Sequence, residues 1–286
     1  EAAIEVAAYF TIDIPAIMGI MSALVLAFIL GIGISKVKDS SLLKIFEEFN
    51  SIVLMIVTNV LIPLVPIYIC CIFAKLSFSG EIFTTLKSFA IVYAVLFSLQ
   101  AIYILIQYSI ASVIKKENPF KLIKNMLPAY FTAMGTQSSA ATIPVTLQCV
   151  KSNNVGEEIA EFVVPLGATI HLAGDTITLV ITSMAVMYMN GQVPTLSQVI
   201  PFIFMLGVTM IAAPGVPGGG VMAALGLLET MFGFGSIEKP IMIALHAAQD
   251  SFGTATNVTG DGAIAIIVDY LINKKDNESN VELESA

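Results

Sequence analysis

Charged residues in this chain bracket long apolar runs. Asp13 and Lys36 enclose 22 uncharged residues, Glu48 and Lys75 enclose 26, and Lys87 and Lys115 enclose 27. A helix needs roughly 20 residues to cross hydrocarbon, so each run predicts a spanning helix, the second bent at Pro63 and Pro66. Beyond Lys124 the pattern changes. The stretch 125–150 is uncharged but broken midway by Gly135, Gln137, Ser138, Ser139, Thr142 and Pro144. From Thr176 to Leu228 no charge occurs for 53 residues, too many for one span. Asn190-Gly191-Gln192-Val193-Pro194 reads as a loop, and Pro214–Gly220 as the tip between two apolar segments too short to cross. Two short helices meeting at such a tip predict a re-entrant hairpin. Non-helical backbone at that depth is tolerated only where protein or a water-filled cavity covers it.

These elements fall into a repeated unit, a broken hairpin followed by a helix carrying polar residues. The first is 125–150 followed by 157–189, the second 195–233 followed by 240–273. The hairpins open to opposite sides, and an inverted repeat with interrupted helices points to the binding site of a secondary transporter. The expected fold class is therefore all-α integral membrane, with spanning helices, two re-entrant hairpins and broken helices. Residues 1–117 form the leading membrane helices, 118–275 the transport core, and 276–286 an acidic tail expected to be disordered.

Composition agrees. The chain is 57% hydrophobic and 12% charged, with mean hydropathy +0.89, whereas a soluble domain is about one quarter charged. All 13 basic residues are lysine, so no guanidinium fork exists to grip a carboxylate or phosphate. A net charge of −8 without a basic patch argues against nucleic acid. Cys70, Cys71 and Cys149 lie in apolar runs at spacings unsuited to a zinc site or a disulfide framework. Ten lysines, among them Lys36, Lys115, Lys151 and Lys274, share one side if the spans alternate, against Lys75, Lys87 and Lys239. That asymmetry places the ten, and the C-terminus, in the cytoplasm of a multi-pass protein of the cell membrane. No signal peptide is visible at Glu1–Phe10.

The chemistry concentrates in the last helix. His246, Asp250, Thr254, Asn257 and Asp261 are spaced 4, 4, 3 and 4 apart, which puts them on one helical face. A carboxylate at bilayer depth is costly without a partner. No embedded lysine can pair with these aspartates, so an external cation is the expected partner. The preceding helix carries Pro165, Gly167, Gly174 and Asp175, and unwinding there would free carbonyl oxygens suited to an alkali ion. Ser138 and Ser139 precede a short helix whose free N–H groups suit an anion. An intramembrane enzyme would have to use Ser139 with His171 or His246 as nucleophile and base. No third orienting group stands at a suitable spacing, so an enzyme is not expected. A substrate-free channel or scaffold is the other alternative.

The strings Ser138-Ser139…Thr142-Ile143-Pro144-Val145-Thr146, Pro165-Leu166-Gly167-Ala168-Thr169-Ile170, Gly215-Val216-Pro217-Gly218 and Asn257-Val258-Thr259-Gly260-Asp261, in that order, resemble the dicarboxylate/amino-acid:cation symporters, the family of the glutamate transporters. Within it, Gln249-Asp250-Ser251 and Ala173 are most similar to the serine/threonine:sodium branch. The resemblance implies an elevator-type transporter, a homotrimer in the bilayer, and absence of the first three family helices from this chain. It implies no cofactor, with sodium as coupling ion. Substrate α-carboxylate is expected at Ser138, Ser139 and Asn257, and the amine at Asp250 and Thr254. The resemblance also implies a gate at Gly215 and Val216. One sodium is implied at Gly167, His171, Asn257 and Asp261, a second at Thr169, Met210, Ile211 and Ala213.

Two departures bear on the substrate. Acidic-substrate members carry arginine where this chain has Gly253, and Asn-Met-Asp-Gly-Thr where it has His171-Leu172-Ala173-Gly174-Asp175. With no cation at Gly253 and Asp175 near it, the expectation is sodium-coupled symport of a small neutral amino acid such as serine, threonine or alanine, whose hydroxyl, where present, could donate to Asp175. The alternative is a sodium- or proton-coupled symporter of dicarboxylates or acidic amino acids, with protonated His246 or His171 neutralising the second carboxylate.

Overall fold

The computed structural model describes residues 18, 20–38, 40–56, 59–60, 62–78, 82–213 and 217–284. Among them the regular secondary structure is entirely helical: α1 (Ile20–Ser35), α2 (Ser41–Ile56), α3 (Ile62–Phe78), α4 (Ile82–Lys115), α5 (Pro119–Thr136), α6 (Ser139–Ser152), α7 (Glu157–Ile170), α8 (Ala173–Met189), α9 (Leu196–Met210), α10 (Gly219–Phe232) and α11 (Glu238–Glu284). Among the described residues, three runs are long and apolar enough to cross a membrane: Lys87–Lys115, Glu157–Met189 and Glu238–Asn273.

Within the second expected span, α2 runs to Ile56 and α3 from Ile62, and residues 57, 58 and 61 between them lie outside the described residues. Pro66 lies inside α3. At the other end, α11 continues to Glu284, over most of the segment expected to be disordered. That segment holds no glycine or proline to stop a helix.

Two segments form helical hairpins. Asn118 caps α5, its Oδ1 accepting from Phe120 N at 2.8 Å, and Pro119 occupies the first helical position. α5 stops at Gln137, whose φ of 51° reverses the chain, and Ser138 Oγ caps α6 by accepting from Ala141 N. The feet are tied at the far end: Asn125 Nδ2 donates to Asn153 Oδ1 at 2.8 Å, and Asn153 Nδ2 to Leu122 O at 3.2 Å. α9 and α10 form the second hairpin, α10 starting at Gly218 with φ 73°, a left-handed value that favours glycine.

Packing follows the repeat. One buried cluster joins α8, α9, α10 and the first half of α11 with Phe89 of α4, through Leu179, Phe202, Leu206, Leu227 and Leu245. The other joins α5, α6, α7 and the second half of α11 with Tyr108 of α4, through Leu122, Met126, Val164 and Ile266. Neither cluster draws a described residue from α1, α2 or α3. Large side chains such as Phe28, Ile29, Phe49 and Ile67 are instead exposed, as lipid-facing or partner-facing surfaces are. α11 is the shared spine, and its polar face lies between the two clusters.

Candidate functional site

Each predicted polar residue of α11 is buried, with relative exposures of 0% for His246, 5% for Asp250, 4% for Thr254, 1% for Asn257 and 1% for Asp261. The 3-and-4 spacing therefore turns toward protein. It does so because the opposite sides of α11 carry the apolar residues that fill both clusters.

The helix predicted to break does so at His171 and Leu172, with φ/ψ of −98°/85° and −112°/44° between α7 and α8. The first turn of α8 then abuts α11. Gly174 N donates to Asn257 Oδ1 at 2.7 Å, and Asn257 Nδ2 donates to Asp175 Oδ2 at 2.7 Å. His246 Nε2 stands 3.1 Å from Asp175 Oδ1. Gly174 is obligatory here: a Cβ would overlap the backbone carbonyl of Gly253. Asp175 also borders Gly253, where an added Cβ would lie 3.2 Å from Asp175 Oδ1.

Both hairpins reach the same face. Gly218 N donates to Asp250 Oδ2 at 2.8 Å, while Thr254 Oγ1 stands 3.5 Å from Asp250 Oδ1. Gly220 brings the first turn of α10 against the Asp175–His246 pair: a Cβ there would meet His246 Nε2 at 3.2 Å. From the first hairpin, Gln137 Nε2 donates to Ser251 Oγ at 2.9 Å. Ser139, just beyond that tip, is buried. Three helix N-termini, those of α6, α8 and α10, thus converge on 250–257, and their positive dipole ends offset buried carboxylates.

Asp261 lies one level further along α11. It packs so closely on Gly167 that any Cβ there would collide with its carboxylate. His171 Nδ1 is 2.8 Å from Asp261 Oδ1, His171 Nε2 is 3.0 Å from Tyr103 Oη, and Gln107 Nε2 donates to Tyr103 Oη at 2.7 Å.

An external cation was the expected partner of Asp250 and Asp261, since no embedded lysine is available; among the described residues His171 stands against Asp261, and His246 against Asp175. Both histidines reach these carboxylates only through the tertiary fold. The Asn257 side chain, expected to bind the substrate α-carboxylate, accepts from Gly174 N and donates one Nδ2 hydrogen to Asp175 Oδ2, and Nδ2 carries a second hydrogen. Of the second expected sodium set, Thr169 is exposed and donates to Leu166 O within its own helix. Met210 and Ala213 are buried in the first cluster. Ile211 lines an apolar cleft of about 370 Å³ with Ala27, Phe28, Gly31 and Ile32 of α1. Gly215 and Val216 lie outside the described residues. Sequence reasoning missed Gln100, Tyr103, Gln137 and Ser251. Gln100 and Tyr103 lie in an apolar run whose polar residues carry no motif.

A membrane protein whose broken helices and helical hairpins meet at a buried polar seam has the build of a secondary transporter rather than an enzyme. Residues 2–271 match the sodium:dicarboxylate symporter family, and the chain belongs to it. It is 27% identical over 270 residues to an excitatory amino acid transporter of Caenorhabditis elegans, covering 93% of this chain and 53% of that protein. It is 30% identical to the human neutral amino acid transporter A over 172 residues, 60% of this chain and 32% of the relative. To human excitatory amino acid transporter 1 it is 30% identical over 171 residues, 59% and 31%. The chain thus spans about half the length, or less, of these relatives.

Proposed function

We propose that the protein is a sodium-coupled symporter of small neutral amino acids in the cell membrane, with its C-terminus in the cytoplasm. It works as an elevator-like transport core with re-entrant hairpins, within a homotrimer. The observation that carries the neutral-substrate reading is the pairing of the histidines. His246 is committed to Asp175 and His171 to Asp261, so neither is left to neutralise a second substrate carboxylate. Gly253 supplies no charge, and a Cβ added there would lie 3.2 Å from Asp175 Oδ1. A dicarboxylate would bring like charge to that oxygen at a cost of several kcal/mol. Membership of a family that includes a relative named as a neutral amino acid transporter is consistent with this reading.

The substrate amine goes to Asp250 and Thr254, and the α-carboxylate to the tip at Ser138 and Ser139, where α6 presents its N-terminus. Sodium goes to Asp261, Gly167 and the His171 carbonyl, where a carboxylate already lies against the broken end of α7. A second sodium goes to the set around Thr169, Met210, Ile211 and Ala213.

The test is competition for sodium-driven uptake by the whole protein in proteoliposomes. Serine, alanine and threonine should compete better than aspartate or succinate, and the reverse order would overturn the neutral-substrate reading. Gly253→Arg combined with Asp175→Thr, which removes the carboxylate that an arginine would otherwise engage, should shift preference toward acidic substrates.

A further inference from the structure

We infer that Tyr103 of α4 is a positioning residue for sodium: acting through the His171 ring, it holds the Asp261 carboxylate and the broken end of α7 in register for the ion. This rests on the sodium site proposed above, and extends it to a helix that supplies none of its ligands.

Three contacts run in line from α4 to α11. Gln107 Nε2 donates to Tyr103 Oη at 2.7 Å, Tyr103 Oη lies 3.0 Å from His171 Nε2, and His171 Nδ1 lies 2.8 Å from Asp261 Oδ1. A carboxylate oxygen only accepts, so Nδ1 carries a ring hydrogen. The Tyr103 hydroxyl already accepts from Gln107 and has its own hydrogen left for the lone pair of Nε2. Were Nε2 the donor, the hydroxyl would accept from both neighbours, and its hydrogen would meet no acceptor among the described residues. Each bond of the line therefore donates toward α11.

The ring is held from the side as well. Gly260, next to Asp261, leaves the space that ring and amide fill: a Cβ there would meet His171 Cε1 at 2.5 Å and Gln107 Oε1 at 2.7 Å. His171 stands where α7 ends, with φ/ψ of −98°/85°. Anchoring its side chain at both nitrogens also anchors the backbone whose carbonyl the proposed site uses. Asp261 Oδ1 accepts from the imidazole, while Oδ2 accepts no hydrogen bond among the described residues and is left to the cation. Without the hydroxyl, one end of the ring is free, and the ion must order ring and carboxylate as it binds. Partners behind a metal ligand set its orientation and affinity in this way. The Tyr103 hydroxyl reaches the carboxylate only through the ring.

The experiment measures sodium activation of amino-acid uptake by the whole protein in proteoliposomes. Tyr103→Phe keeps the aromatic ring and removes the hydroxyl. It should raise the sodium concentration for half-maximal uptake about two- to tenfold, the usual effect of one neutral hydrogen bond. The amino-acid KM at saturating sodium, and the thermal midpoint without sodium, should move little. Gln107→Leu, which removes the donor behind the hydroxyl, should shift the sodium constant the same way by less. In a His171→Asn background no ring reaches Tyr103, so Tyr103→Phe should add nothing further. An unaltered sodium constant in Tyr103→Phe overturns the proposal. So does a rise of both constants with a lowered midpoint, the mark of a merely structural hydroxyl. A full effect of Tyr103→Phe in the His171→Asn background does the same. The sodium site itself fails separately, if Asp261→Asn leaves sodium activation unaltered. A sodium constant that moves in Asp261→Asn but not in Tyr103→Phe sinks the positioning role alone.

Discussion

A buried carboxylate must meet charge or hydrogen bonds, and each aspartate of the site meets them differently. Asp261 is bound by one imidazole and pressed on Gly167, and it is the anionic ligand in the sodium site proposed at the broken end of α7. Asp261→Asn should weaken sodium activation of uptake by well over tenfold, because carbonyl dipoles alone would then face a bare cation. Sodium activation unaltered in that variant excludes the assignment. Asp250 holds Gly218 N and Thr254. An incoming ammonium adds a charge-assisted bond of about 1.5–3 kcal/mol. Asp250→Asn should therefore lose amino-acid binding by roughly 10- to 150-fold while sodium still binds. Equal affinity of the native protein for an amino acid and its deaminated analogue would remove the amine from Asp250.

Among the elements, the crossing of α8 over α11 is the tightest constraint. Gly174 meets the Gly253 carbonyl, a backbone atom that no rotamer change can move aside. Overpacking of this kind costs about 1–3 kcal/mol, occasionally more. Gly174→Ala should lower the thermal unfolding midpoint and abolish ligand stabilisation, since Asn257 and Asp175 would lose register. Gly207→Ala is the contrast: nothing lies within 4 Å of an added Cβ in mid-α9, and alanine is the better helix former by about 1 kcal/mol. That variant should hold or raise the midpoint, as followed by thermal unfolding in detergent.

Across the whole molecule, two apolar clusters share α4 and α11 and enclose a polar seam. Ligands at the seam touch elements of both halves, so binding should stabilise the fold as a unit. Saturation to 100 times Kd adds about 2.7 kcal/mol for one site. If sodium at Asp261 and amino acid at Asp250 favour the same closed arrangement, together they should raise the thermal midpoint by more than the sum of their separate shifts. Strict additivity would mean that coupling arises elsewhere in the transport cycle.

The polar face of α11, the break between α7 and α8 and the two hairpins were legible in the sequence. Helical period and proline and glycine placement are local properties, and charge is conspicuous where the solvent is lipid. The family followed from strings of residues whose order a single chain displays. What the sequence could not determine was who meets whom. His171 and Asp261 are 90 positions apart, His246 and Asp175 are 71, and nothing local distinguishes a paired aspartate from one awaiting a cation. The acidic tail, expected to be disordered, is helical as far as Glu284: an acidic segment without glycine or proline can extend a helix. Gln100 became visible only when α4, α8 and α11 were packed together. A neutral amide reveals its role through the partner it has or lacks, and only the tertiary structure supplies the partner.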